Sequence, residues 1–222
     1  MQRLLDLILS LVTLLALSPL LVPIALLLRL TGEGEVFFLQ NRVGKDGKIF
    51  SLFKFATMLK DSPNLGAGTV TVKNDPRILP MGQFLRNSKI NELPQLINIF
   101  KGDMSIIGPR PQTQRCFDAY LPISQNAITQ VRPGLSGIGS IVFRDEENML
   151  HGQFDLEQFY DKDIAPYKGA LEEWYVANQG LWLYIMLIGL TLWVVVNPKS
   201  KIVWRVFPSL PKIPFTLEKY FL

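Results

Sequence analysis

The chain holds one cysteine, Cys116, and one histidine, His151, among 222 residues. A single cysteine excludes an intrachain disulfide and suits a reducing compartment. One Cys and one His cannot build a Cys/His zinc cluster. A Ser-His-Asp triad would have to run through His151, which sits in a polar stretch, and it is set aside. Also missing are a Walker-type phosphate loop, a dinucleotide-binding glycine fingerprint, any internal repeat and any low-complexity tract.

What is present is unevenly spread. Hydrophobic residues make up 48% of the chain and pile up near its two ends. That pattern suggests a soluble domain between lipid-seeking segments. The net charge of +4 and a pI of about 9.2 permit nucleic acid, anionic lipid or phosphorylated ligands as partners. A nucleic-acid binder has only the pI in its favour, since no recognition motif is present and the basic residues do not gather in one run.

Leu7–Leu28 is a run of 22 residues without a charge. At about 1.5 Å per residue it could cross a bilayer as a straight helix. It also contains Ser18-Pro19 and Pro23, and each proline removes an N–H and crowds the carbonyl four residues back. Ser18 can return a hydroxyl to a freed carbonyl, which makes a bend tolerable in lipid. A kinked spanning helix, a re-entrant helix and a signal peptide all fit the run. Pro19 directly after Ala-Leu-Ser argues against cleavage there.

Val36–Gln40 and Ile49–Phe55 read as strands, with Asp46-Gly47 as the hairpin turn between them. Residues 61–77 read as a loop, and Ile78–Leu85 is ambiguous. In "KINELPQLINIFKGDMSIIGPRP", Leu93, Leu96, Ile97 and Phe100 fall on one helical face. Pro94 is tolerated only in a first turn, so the helix is expected to start near Asn91–Leu93 and to end at Lys101-Gly102. Glu92 would then sit at the positive end of the helix dipole. "VRPGLSG" reads as a further turn. "FRDEENML" and "DLEQFYDKDIAPYKGALEEWYV" read as charged surface segments. Leu181–Val196, 16 residues without a charge, fits a core helix, an interfacial helix or a second membrane segment. The tail, with Lys199, Lys201, Arg205, Lys212 and Lys219 among aromatics and prolines, fits a membrane surface or a plain ordered tail.

Several cations are rigidly placed. Lys54 ends a strand, Arg86 precedes the helix, Arg110 stands between Pro109 and Pro111, and Arg132 precedes Pro133. Flanking prolines spare an arginine some ordering entropy, and its planar fork grips phosphate oxygens bidentately. Singly, each is more often a surface or structural ion pair. Together, around one acidic helix start, they suggest a phosphate or diphosphate site, where a carboxylate can hold a bridging divalent metal.

Ser18-Pro19 in the apolar run, "QNRVGKDGKIFSLFKFATM", "GQFLRNSKINELPQLINIFKGDMSIIGPRP" and "VRPGLSG" occur in an order that resembles the bacterial sugar transferases, the monotopic phosphoglycosyl transferases. The resemblance covers roughly residues 1–190, and the ELPQL…GDMS…GPRP block is its most specific part. It implies transfer of a phospho-sugar from a nucleotide diphosphate sugar, expected to be a UDP-sugar, to polyprenyl (undecaprenyl) phosphate. That step initiates a membrane-bound glycan such as a polysaccharide, O-antigen or glycoconjugate. It also implies Mg²⁺ and a covalent phosphosugar–enzyme intermediate. Glu92 matches the family's metal-binding glutamate. Lys54, Arg86 and Arg110 match basic positions around the phosphates, and Arg132 falls in the Arg-Pro-Gly turn. The Ser-Pro break makes the first helix re-entrant, with the catalytic domain facing the cytoplasm at the bacterial inner membrane.

The resemblance implies an α+β fold: a mostly helical, membrane-associated domain with a small β-hairpin and an N-terminal re-entrant helix. The expected division is residues 1–31 as that helix, 32–180 as the catalytic domain, and 181–222 as an apolar helix with a basic, aromatic tail. Three departures stand out. Asn91 occupies the place of the family's nucleophilic aspartate, and a neutral carboxamide cannot form the same acyl phosphate. An engineered substitution, a natural variant in which Glu92 or another group attacks, and a membrane-tethered binding or scaffold protein would each account for it; the natural active variant is preferred because the rest of the motif is intact. Ala56 replaces a basic residue of the Lys-Phe-Arg-Thr-Met motif, and "GIGSIVFRDEENML" is unlike the usual continuation. The sequence names neither the sugar, the glycan nor the oligomeric state.

Overall fold

A computed structural model describes residues 1–31, 33–62, 76–150, 153–198 and 200–221. Residues 63–75 of the expected loop, and His151, lie outside that set. The described elements run, in chain order, α1 (Gln2–Leu30), β1 (Phe37–Val43), β2 (Ile49–Phe55), α2 (Gly82–Asn87), α3 (Gln95–Lys101), β3 (Ser105–Ile107), α4 (Gln114–Asp118), α5 (Pro122–Thr129), β4 (Gly134–Ser136), α6 (Ile138–Val142), α7 (Glu146–Leu150), α8 (Leu156–Phe159), α9 (Ala165–Ala177), α10 (Leu181–Val196), α11 (Ile202–Val206) and α12 (Glu218–Phe221). The chain is mostly helical with one small antiparallel hairpin, as expected. It divides into two compact units: residues 7–41 with 51–101, and residues 1–6 with 42–50 and 102–222.

The first unit is built on α1, 29 residues long, with mean hydropathy 2.6 in its most apolar window. It is the one described helix long and apolar enough to cross a membrane, and much of its surface is open, including Leu11, Val12, Leu15, Val22 and Leu26. Ser18 and Pro19 lie inside this helix, and the helix continues through Pro23. Proline 19 leaves the Leu15 carbonyl without its usual N–H partner, and the Ser18 hydroxyl donates to that oxygen at 2.8 Å. Ile24 and Leu28 near the far end pack with Phe55 and Leu85 into a small core.

The hairpin forms where alternating Phe, Val and Ile meet a turn that needs left-handed backbone. Asp46 has φ 57° and Gly47 φ 70°, which suits the Asp-Gly pair. Phe37 stacks on Phe55, ring centroids 5.7 Å apart. β1 starts within the expected strand but extends to Val43, and β2 has the expected bounds.

The expected helix face near Asn91 is corrected. α3 begins at Gln95, and Asn91 and Glu92 lie instead on a 3-10 turn, Ile90–Glu92. The face turned inward carries Gln95, Leu96, Asn98 and Ile99, while Phe100 is exposed. The reason is polar. Asn98 is fully buried; its carboxamide oxygen accepts from Phe53 N–H at 2.9 Å and its amide donates to Ser51 O at 2.8 Å. That side chain closes the backbone of β2 and fixes the helix rotation. Gly102 ends α3 with φ 100°, as the Lys-Gly ending suggested.

The second unit is organised on β3. "VRPGLSG" is not a simple turn: its Gly134–Ser136 is β4, parallel to β3, with Ser105 opposite Gly134 and Ile107 opposite Ser136. The glycines allow the approach. A Cβ on Gly134 would lie 2.1 Å from Gly108 N, and one on Gly137 2.2 Å from Gly108 O. The segment expected on the surface is largely core. A π turn, Tyr160–Ile164, joins α8 to α9, and α9 buries Tyr167, Lys168, Leu171, Glu172 and Tyr175. Hydrophobic periodicity at Ile164, Leu171 and Tyr175 was masked by the charged residues between them. α10 buries Leu183, Tyr184, Leu187, Leu190 and Val194 and exposes Trp182, Leu192, Trp193 and Val196. The tail is ordered: Leu210, Leu217 and Phe221 enter the core, and Tyr167 Oη donates to Pro211 O at 3.1 Å.

Asp6, in the second turn of α1, belongs to this unit. It is 2% exposed, and its Oδ1 accepts from Ser105 Oγ at 2.9 Å, Ile106 N at 3.0 Å and Tyr184 Oη at 2.8 Å. Removing the carboxylate strands three donors at once. Asp6→Ala should cost on the order of 3 kcal/mol, and Tyr184→Phe, which removes one donor, about 1 kcal/mol. Thermal unfolding of the purified protein checks both; equal effects would show that Asp6 is not the centre of the cluster.

Candidate functional site

Four of the expected site residues fall in the first unit. Lys54 is half-buried in β2. Beside it Ala56, where a basic residue was expected, is buried and its N–H donates to Val36 O at 3.0 Å. A long cationic side chain at position 56 would have to leave the core. Arg86 is in the last turn of α2, half-buried, with Nη1 3.7 Å from Met58 Sδ.

Asn91 and Glu92 follow directly, on the 3-10 turn that packs against α2. The turn is entered through Lys89, a non-glycine residue at φ 58° and ψ 11°. Left-handed backbone at such a residue costs of order 1 kcal/mol and persists where the surroundings impose it. Asn91 is 8% exposed, and its Oδ1 is buried without a hydrogen-bond partner. Glu92 is half-buried, and its N–H donates to Lys89 O at 3.0 Å. Two adjacent side-chain oxygens, one of them buried and unsatisfied, suit a hard cation. Among the described residues no group of three or more His, Cys, Asp or Glu could hold a metal. A sparse oxygen set fits the way Mg²⁺ is held, by one or two protein oxygens plus substrate phosphates.

Arg110 and Arg132 belong to the second unit. Arg110 is half-buried beyond β3, and its backbone is held on both sides. Its N–H faces Glu172 Oε1 at 3.4 Å, and its carbonyl accepts from Gln112 Nε2 at 3.2 Å. Arg132 is exposed, and its Nε donates to Gly102 O at 2.9 Å. That bond gives Arg132 a place in the turn after α3.

The sequence did not single out Glu172. It is 1% exposed, and its Oε2 has no hydrogen-bond partner. Burial pushes its carboxyl up to about 8, against the opposing pull of the Arg110 N–H and the Lys168 and Arg110 charges. Lys168 is itself paired with Glu146 Oε2 at 2.6 Å. The spacing of Lys168, Glu172 and Tyr175 on one helical face was the available signal.

The model of the bacterial sugar transferases matches residues 1–198. The chain belongs to the bacterial sugar transferase family. It is 34% identical over 194 residues to a UDP-N-acetylgalactosamine-undecaprenyl-phosphate N-acetylgalactosaminephosphotransferase of Aeromonas hydrophila, which covers 86% of this chain and 42% of the relative. It is 34% identical over 196 residues to an undecaprenyl-phosphate glucose phosphotransferase of Komagataeibacter xylinus, covering 86% and 35%. It is 29% identical over 212 residues to an undecaprenyl-phosphate galactose phosphotransferase of Salmonella typhimurium, covering 89% and 40%. The chain thus spans roughly two fifths of the length of such relatives. Their names carry three different sugars.

A buried carboxyl whose pKa rises on folding makes stability depend on pH. The folded protein keeps a proton on Glu172 that the unfolded chain loses near 4.5, so stability is greatest below about 4.5 and falls as pH rises towards about 8. Glu172→Gln removes this penalty. Its thermal midpoint should match wild type near pH 5 and exceed it increasingly up to pH 8, by as much as about 1.4 kcal/mol per pH unit. A constant difference across that range would mean that Glu172 is ionised in the folded state.

Proposed function

We propose that this protein transfers a phospho-sugar from a UDP-sugar to undecaprenyl phosphate, initiating a membrane-bound glycan. The observation that carries this reading is the family match over residues 1–198. In the reaction the bond between the two phosphorus centres of the donor breaks at the β-phosphorus. UMP leaves with the bridging oxygen, and the phospho-sugar ends on an oxygen of the lipid phosphate. A binding-only or scaffold role gains no support from these relatives.

Within this reading each residue has a task. The Arg110 fork, stiffened by Pro109 and Pro111, grips diphosphate oxygens, and Lys54 and Arg86 offset charge on the donor. Glu92, with Asn91 Oδ1, would hold Mg²⁺, which when bound neutralises phosphate charge and eases departure of the nucleotide. Asn91 supplies an acceptor oxygen but no attacking carboxylate. Attack therefore falls to Glu92 or another group.

Nucleotide release by purified protein with undecaprenyl phosphate, Mg²⁺ and a panel of UDP-sugars tests the reaction. Glu92→Gln should abolish release, whereas Asn91→Asp should preserve or raise it. Arg110→Lys should lower kcat/KM at least about tenfold, since an ammonium keeps the charge and loses the fork. Full activity in Glu92→Gln would remove this turn from the catalytic centre.

We further infer that α1 is re-entrant in the bacterial inner membrane, with the rest of the chain cytoplasmic. Two features support it. Asp6 at one end is bonded to Ser105, Ile106 and Tyr184, and Ile24 and Leu28 towards the other pack on Phe55 and Leu85. The Ser18 hydroxyl satisfies the carbonyl freed by Pro19, as a bend in lipid requires. A cysteine at position 2 should resist an impermeant thiol reagent added to intact cells and react once they are opened. Labelling from outside would place the N-terminus across the membrane.

A further inference from the structure

α10 carries no charge over its 16 residues, and its inward face is fully engaged. Leu183, Leu187, Leu190 and Val194 enter the core of the second unit, and the helix packs on α6, β3 and β4. Its outward face is just as apolar. Trp182, Ile185, Gly189, Leu192, Trp193 and Val196 follow one another at helical spacing and are exposed, Trp182 by 74% and Val196 by 78%. The polar side-chain atoms of Tyr184, Thr191 and Trp193 are bonded within the protein. Tyr184 Oη donates to Asp6 at 2.8 Å, Thr191 Oγ1 to Leu187 O at 2.7 Å and Trp193 Nε1 to Ser200 Oγ at 2.9 Å. A helix with one face in water carries charged or polar residues there. A contiguous exposed apolar face marks an interaction surface.

Two observations identify the occupant. The first is charge. Residues 174–217 contain no Asp or Glu, and their four basic residues, Lys199, Lys201, Arg205 and Lys212, all follow α10. Lys201, Arg205 and Lys212 are exposed. Charge of one sign beside an apolar face suits phospholipid headgroups above acyl chains. The second is continuity. α10 begins beside the start of α1: Gln2 Nε2 lies 3.5 Å from Gly180 O, and Tyr184 is bonded to Asp6. Met1 and Leu4, at that end of α1, are exposed. We propose that the outward face of α10 is a second membrane contact: the helix lies along the surface of a phospholipid bilayer, with Trp182 and Trp193 at the boundary between acyl chains and headgroups. Sixteen residues reach about 24 Å, short of a hydrocarbon core of roughly 30 Å, and the buried face ties the helix to its unit along its length. Indoles near both ends suit the boundary, having an apolar body and a polar edge. The continuity argument rests on the reading of α1 as a membrane helix; the charge and the apolar face do not. Because α10 packs on β3 and β4, the contact also sets the height of the 109–111 segment over the bilayer, where the acceptor in the proposed reaction presents its phosphate.

Tryptophan fluorescence of the full chain in nanodiscs containing phosphatidylglycerol tests this. The quencher is a phospholipid brominated on its acyl chains, either near the headgroup or near the terminal methyl, and iodide in the buffer reports exposure to water. Of the four tryptophans, Trp174 and Trp204 are half-buried, whereas Trp182 and Trp193 are exposed. Bromine near the headgroup should quench the wild type several times more strongly than the Trp182→Phe/Trp193→Phe double variant, and more strongly than bromine near the methyl does. Thermal midpoints report folding. If the double variant does not fold, Trp182→Phe alone, which keeps the bond from Trp193 to Ser200, should still lose part of the quenching. Equal lipid quenching in wild type and variant overturns the proposal. So does iodide quenching of Trp182 and Trp193, which would put the face in water. Quenching by neither, with two chains per nanodisc by light scattering, would make the face an interface between copies and overturns it too. Strongest quenching by bromine near the methyl would make α10 a crossing helix, against the proposal. Leu15→Trp, made in the double-variant background, reads α1 on its own. Lipid quenching at position 15 but not at Trp182 and Trp193 refutes only the α10 contact. Lipid quenching at Trp182 and Trp193 but not at position 15 upholds that contact and refutes the reading of α1.

Discussion

Three residues of backbone, Ser105–Ile107, hold the larger unit together. On one edge they pair with Gly134–Ser136, in a contact so close that Gly108, Gly134 and Gly137 have no space for a side chain. Asp6 accepts from Ser105 and Ile106, and the Tyr175 hydroxyl bonds to Ile107 O. A strand this short forms few ladder bonds and would not persist alone. Its stability comes from side chains far apart in sequence. The same anchoring carries into the chain that follows, so the Pro109-Arg110-Pro111 segment leaves a fixed strand rather than a loop. A phosphate-binding arginine needs that, because ordering a long side chain and its backbone at the moment of binding would cost affinity.

The first unit meets a related demand by another route. Asn91 and Glu92 sit on a short 3-10 turn after a left-handed lysine, not at the start of a regular helix. The tighter, strained turn keeps both near the entry to α3. It also leaves Asn91 Oδ1 buried without a partner, which a fold rarely tolerates away from a ligand. In a relative with aspartate here, the same pocket would hold a charge. In this chain it holds a dipole, which is far less costly to bury.

Much of this was legible in the sequence. The bounds of β2, the Asp-Gly turn, the glycine ending of α3 and the long apolar helix all follow from local rules that act within a few residues. The errors share a cause: each concerned a polar residue whose role is set by distant chain. The inward face of α3 was read as Leu93, Leu96, Ile97 and Phe100, yet buried Asn98 seals β2 and Phe100 is exposed. The charged stretch around α9 was read as surface, yet Lys168 and Glu172 are buried, Lys168 paired with Glu146 and Glu172 facing the Arg110 N–H. "VRPGLSG" looked like a turn because its parallel partner lies some thirty residues earlier. Periodicity reports apolar faces and is blind to buried polar ones. Motif order singled out Lys54, Arg86, Glu92 and Arg110 as candidates, but nothing local singled out the buried Glu172.

The two sets of cations differ in how they are restrained. Arg132 gives its Nε to Gly102 O, so part of its donor set serves the turn after α3. Arg110 is held by its backbone, through N–H and carbonyl. Five N–H donors in a plane are useful to a diphosphate only while they are not spent on the protein. Backbone restraint therefore suits a ligand-binding arginine, and side-chain restraint suits a structural one.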